Sequence, residues 1–132
     1  MKNIIKKYKI IIFIIFCLFQ YSYDRITSTC DTNKGELLLF IHHILSAYIY
    51  LGYLFNPLLH MILLIIIIVH WLTYNNKCFI TVYTNKYCGN PENNRFRDIL
   101  YVTGISKNYP NLMYIVLFLF IVYDIYKIYK KN

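Results

Sequence analysis

LLLFIHHILSAYIYLGYLFNPLLHMILLIIIIVHWLTY, residues 37–74, decides the fold. It is two apolar runs joined at Asn56-Pro57, nineteen residues over 37–55 and seventeen over 58–74. As helices they extend roughly 28 and 25 Å, at about 1.5 Å per residue. A bilayer's hydrocarbon core is about 30 Å thick, so each run can cross it with little tilt. Proline fixes φ and suits the first turn of a helix. Asn56-Pro57 therefore reads as a two-residue turn that closes a tight antiparallel hairpin between helices over 37–55 and 57–74. Eleven residues of the second run are Leu, Ile or Val, worth roughly −3 to −7 kcal/mol on the insertion scale.

Working outward, Ile10–Phe19 is an unbroken apolar stretch behind Lys2, Lys6, Lys7 and Lys9. A basic segment followed by ten apolar residues is also the form of a signal peptide. Thr27-Ser28-Thr29 before Cys30 is a poor cleavage site, however, and no lipobox precedes that cysteine. An uncleaved signal-anchor helix over 8–23 is the preferred reading. At the other end Leu112–Tyr123 is apolar, and Asp124 falls at the membrane interface or just inside it. A central Asp costs about 2.5–3.5 kcal/mol, which the eleven Leu, Ile, Val and Phe residues around it outweigh. Tyr123, Tyr126 and Tyr129 with Lys127, Lys130 and Lys131 form an aromatic and basic anchor to a helix over 112–129. The fold class expected is thus an all-α membrane protein, one domain over 1–132, with four transmembrane helices.

Composition agrees. The chain is 58% hydrophobic and 15% charged, against about 25% charged in soluble domains. Its net charge of +8 suits nucleic acid or anionic lipid in principle. The lysines, though, cluster at the ends of apolar runs, where they act as membrane anchors. The expected partner is the lipid bilayer, with other membrane proteins or further copies of the chain, and no nucleic acid. Placing both termini and the Asn56-Pro57 turn in the cytoplasm concentrates basic residues close to helix ends on that side. Residues 24–36 then form a short outer loop and 75–110 a longer one. In the long loop FITVYT (79–84) reads as a short strand or extended piece. Phe96, Ile99, Leu100 and Thr103 either line a surface helix capped by Asn94 or belong to an ordinary loop.

Candidate sites are few. On this topology His42, His43 and His70 share a depth in the outer leaflet. Facing histidines on adjacent helices suit haem iron or another metal. The competing reading is that each imidazole hydrogen-bonds a neighbouring helix, with Ser46 or Tyr50 beside it, and this is the one preferred. No cofactor or metal is therefore expected. His60 lies about 15 Å along the axis from His70, at the level of Gly52 and Tyr53. Cys30, Cys78 and Cys88 all fall on the outer side with no zinc-ligand spacing. One disulfide among them is expected, with Cys78 joined to Cys30 or Cys88. The chain has no Gly-rich phosphate loop, no nucleophile elbow and no paired carboxylates, and its six acidic residues are scattered. An enzyme is not expected.

His42-His43, Gly52, His60, His70-Trp71 and then Asn76-x-Cys78-x-x-Thr81 resemble the pattern of short four-helix membrane proteins with helix-embedded histidines. The resemblance covers roughly residues 40–85. Phe79-Ile80 stand where that pattern has Pro-Leu, and the Trp-to-Cys spacing is wider. It implies a four-helix fold and nothing catalytic. The expected role is a non-enzymatic structural or accessory membrane component. The alternatives are a redox or haem protein using His42 or His43 with His70, and a small oligomeric pore. Helix two would line such a pore with His42, His43, Ser46, Tyr48, Tyr50 and Gly52.

Overall fold

The computed structural model describes residues 2–27, 29–89, 100, 103–109 and 111–131. Among these the chain is all-α: α1 (Lys2–Thr27), α2 (Asn33–Leu51), a 3₁₀ turn (Gly52–Leu54), α3 (Pro57–Thr73), α4 (Phe79–Tyr87), α5 (Ile105–Asn108) and α6 (Leu112–Lys131). Three of these helices are long and apolar enough to cross a membrane: α1 over Lys7–Thr27, α2 with its 3₁₀ extension, and α6. The fourth apolar helix, α3, is shorter at 17 residues.

Local chemistry sets the boundaries. α2 starts four residues before the apolar run because Thr32 caps it, its hydroxyl accepting the Gly35 amide at 3.0 Å. A capping side chain satisfies one of the amide donors that a helix start leaves unpaired. At the lower end the helix tightens into 3₁₀ geometry, and the Phe55 amide donates to the Gly52 carbonyl at 2.9 Å. Asn56 caps α3, accepting from the Leu59 amide at 3.2 Å, with Pro57 in the first turn. The turn expected at Asn56-Pro57 is therefore present. Asn75 and Asn76 adopt positive φ (53° and 58°) and end α3's climb, a conformation asparagine tolerates better than most residues.

α1 is longer than the expected 8–23. No Gly or Pro interrupts residues 1–34, so the helix continues to Thr27. Asp24, expected in a polar loop, lies within α1 and is buried.

The hairpin arms do not stay together. α3 packs chiefly along α6, with α1 and α4 against α2. On α3, His60, Leu64 and Trp71 fall at i, i+4 and i+11. On α6, Met113, Leu117 and Asp124 repeat the same spacing, and all six are buried. Trp71 meets Tyr114 edge-on at 5.7 Å, and His60 meets Asp124 at the other end of the seam. Above Gly52, α2 and α3 diverge around an apolar cleft of about 330 Å³ lined in part by Leu45, Ile49 and Ile67.

α4 occupies the stretch expected as a strand. A lone strand has no partner for its amides, whereas a helix satisfies them internally. Thr81, Thr84 and Asn85, at i, i+3 and i+4, form its buried face against α2, while Phe79 and Tyr83 point outward. Thr81 contacts His42 and Cys88 reaches Cys30, so α4 runs antiparallel to α2 from mid-height to its top. The surface helix weighed around Phe96 and Ile99 lies outside the described residues.

The disulfide is Cys30–Cys88, not one involving Cys78, which is a buried free thiol. Gly35 lies directly beneath the bridge, and a Cβ there would sit 2.5 Å from Cys30 Sγ and 2.7 Å from Cys88 Sγ. The same end is clasped by Thr32 Oγ1 donating to the Tyr87 carbonyl at 2.8 Å and Lys34 donating to the Tyr87 phenol at 2.9 Å. That hydrogen bond, with the lysine's charge, holds the Tyr87 pKa below its usual value.

The N-terminal part of α1 and the C-terminal part of α6 lie at the other end, beside the turn. Lys9 Nζ donates to the Leu54 carbonyl at 2.6 Å, and Lys127 Nζ to the Tyr53 carbonyl at 3.4 Å.

Candidate functional site: two buried imidazole–carboxylate pairs

Ten polar side chains are buried among the described residues, as many as the buried apolar ones. Aliphatic side chains such as Ile15, Ile66, Val69 and Leu119 are exposed instead. Water-soluble proteins bury such groups and rarely bury this many polar ones. The chemistry of this molecule is therefore in its interior, at two places.

At the turn end, His60 Nδ1 lies 2.6 Å from Asp124 Oδ2 and His60 Nε2 lies 2.9 Å from the Ile49 carbonyl oxygen. Both residues are fully buried. A carbonyl oxygen only accepts, so Nε2 carries a proton. The Nδ1···Oδ2 contact then shares one further proton, and the pair is neutral overall whichever atom holds it. Tyr48, Tyr53 and Phe120 surround the imidazole, with ring centroids 5.8, 6.2 and 5.9 Å away. Asp124 Oδ1 has no hydrogen-bond partner among the described residues. Gly52 makes room for the ring, since a Cβ there would sit 2.5 Å from His60 Cδ2.

At the far end, His43 Nε2 lies 2.9 Å from Asp24 Oδ2 and joins α2 to α1. One turn below, Ser46 donates to Gln20 Oε1 at 2.8 Å, again from α2 to α1. On the neighbouring face His42 Nε2 meets Thr81 Oγ1 of α4 at 3.1 Å. His43 Nδ1, Gln20 Nε2 and Thr84 Oγ1 are buried without a hydrogen-bond partner among the described residues. An outer layer closes this end, where Glu36 takes Arg25 at 2.7 Å and the Tyr21 hydroxyl at 2.8 Å.

α2 supplies the polar face because His42, His43, Ser46, Ile49 and Gly52 recur at helical spacing along its buried side. The sequence-predicted histidines do not meet. His70 Nε2 accepts the Phe79 amide at 3.3 Å, and its ring stacks on Tyr74 at 5.4 Å. α4 meets His42 through Thr81, His43 turns to Asp24 of α1, and His70 lies on the wall of the cleft. Nε2 of each is engaged, by Thr81, Asp24 or Phe79 respectively. Among the described residues no group of three or more His, Cys, Asp or Glu side chains could hold a metal ion. The face weighed as a pore lining is covered by α1, α3 and α4 of the same chain.

Sequence reasoning missed both carboxylates. Asp24 sits nineteen residues from His43, and Asp124 sixty-four from His60. The available signal was their position, each an acid within helical reach of an apolar run. Asp124, expected at the membrane interface or just inside it, lies seven residues before the end of α6 and is buried. Comparison with family models, with curated proteins and with solved structures finds no match to this chain.

Proposed function

We propose that this chain is a four-span integral membrane component without enzymatic activity, with both termini and the Asn56-Pro57 turn in the cytoplasm. The observation that carries the reading is the inversion of its interior, with paired polar side chains inside and aliphatic ones outside. Without water as competitor, interhelical polar contacts and close packing hold membrane helices together. α3 counts as the fourth span because its exposed side chains are as aliphatic as those of α1 and α6. α4 takes over the climb along α2 where α3 stops. The lysines that fold back on the turn carbonyls support a cytoplasmic placement, in keeping with the bias of basic residues toward that side.

Cysteine labelling with an impermeant reagent tests this in a variant whose other free thiols, Cys17 and Cys78, are replaced by Ser. Lys131→Cys should be protected in intact cells and labelled after permeabilisation, and Lys86→Cys labelled without it. The reverse pattern would overturn the orientation, and labelling of both positions from one side would overturn the four-span reading. An absorption spectrum of the purified protein should show no haem band.

A further inference from the structure

We propose that the turn end of the bundle holds one acidic phospholipid, its phosphate against Lys127 and an acyl chain in the aromatic groove below. The inference rests on the membrane reading above and adds a ligand to it. The groove has a volume of about 370 Å³ and is lined by Tyr53, Val116, Leu119, Phe120 and Tyr123. Its walls are rigid: Tyr53 stacks on Phe120 at 5.9 Å and 22°, and Tyr123 meets Tyr53 edge-on at 5.3 Å. Lys127 Nζ stands 5.3 Å and 5.5 Å from the centroids of Tyr53 and Tyr123. It donates to the Tyr53 carbonyl, and an ammonium has three protons to give. Lys9 approaches from α1 and takes the next carbonyl, that of Leu54. Lys130 lies over the Tyr126 ring one turn further along α6.

No carboxylate among the described residues forms an ion pair with these lysines, and the buried Asp124 acts on Lys127 only at longer range. Asp24, Asp31 and Glu36 belong to the opposite end, and Asp124 is committed to His60. An ammonium pair above an aromatic groove, at the level where the apolar helices end, matches an amphiphile with an anionic head and an apolar tail. Basic pockets between membrane helices recognise acidic head groups in this way. A free phosphate fits the lysines but leaves the groove unused, and a zwitterionic lipid fills the groove but adds no net charge at the lysines.

The test uses the full chain reconstituted in phosphatidylcholine vesicles containing a minor fraction of phosphatidylglycerol, with retained lipid counted by native mass spectrometry. The wild type should keep one phosphatidylglycerol in preference to phosphatidylcholine. Lys127→Gln should lower that preference about fivefold, Lys127→Arg should preserve it, and Lys86→Gln at the far end should not change it. Excess inorganic phosphate should not displace the lipid. Equal retention of the two lipids, an unaltered preference in Lys127→Gln, or displacement by phosphate would each overturn the proposal. An alkaline wash of pure phosphatidylcholine vesicles separates the two readings. Protein that resists the wash without lipid preference refutes the lipid site alone, and protein that washes off refutes the membrane reading and the site with it.

Discussion

The two ends of the bundle carry the same chemical pair in different housings. At the turn end, His60 has a partner on each ring nitrogen and aromatic walls around it. At the far end, His43 has Asp24 on Nε2 and no partner on Nδ1 among the described residues; the Tyr21 and His42 rings stand edge-on to it, and the Ser46–Gln20 and His42–Thr81 contacts flank it on α2. A carboxylate among aromatic and aliphatic groups has a single partner, so the turn-end pair fixes the register of α3 against α6. In a polar cluster a lost partner can be replaced, because neighbouring donors and acceptors remain within reach. The far end therefore shares its load among several contacts, and a covalent bridge limits how far α4 can move from them.

The largest effect should come from breaking the turn-end pair on one side. His60→Leu leaves Asp124 buried and uncompensated, at a cost of about 3–5 kcal/mol. The double variant His60→Leu/Asp124→Leu should recover most of that loss in thermal unfolding. Failure to recover would show that shape, not charge, dominates there. Next is the Cys30–Cys88 bridge, which spans 58 residues and in the chain-entropy model is worth up to about 4 kcal/mol. Reduction should also increase the cost of His43→Gln and leave that of His60→Leu unchanged, because only the far end depends on α4. Equal increases at both ends would break the comparison. Gly52→Ala forces a methyl group against the locked His60 ring and should cost about 1–3 kcal/mol. His43→Gln should cost about 0.6 kcal/mol, the average for interhelical polar contacts in membranes. His70→Gln should cost less still, since His70 accepts one amide at 3.3 Å and stacks on Tyr74 at a partly exposed helix end.

What the sequence made legible follows from where the deciding interactions lie. The apolar runs and the Asn56-Pro57 turn are local patterns, and each is present. The splaying of the hairpin was not legible, because it depends on α6, fifty residues further on, presenting Met113, Leu117 and Asp124 at α3's own spacing. The helix at 79–87 was hidden by its Thr, Val and Ile content, which favours strands when a sheet is available. Here its Thr and Asn residues were the helical signal, spaced to meet α2's polar face. The histidines were legible as candidates but not their partners, since a carboxylate near a helix end reads as solvent-facing until another helix covers it.

A pair of double-mutant cycles on the full chain, read by thermal unfolding in detergent, tests the difference between the two ends most directly. One cycle removes His60 and Asp124 singly and together, each to Leu, and the other treats His43 and Asp24 in the same way. Couplings between contacting residues run from about 0.5 to 3 kcal/mol. The turn-end pair should lie near the upper limit and the far-end pair near the lower. Equal couplings, or a larger one between His43 and Asp24, would contradict the account.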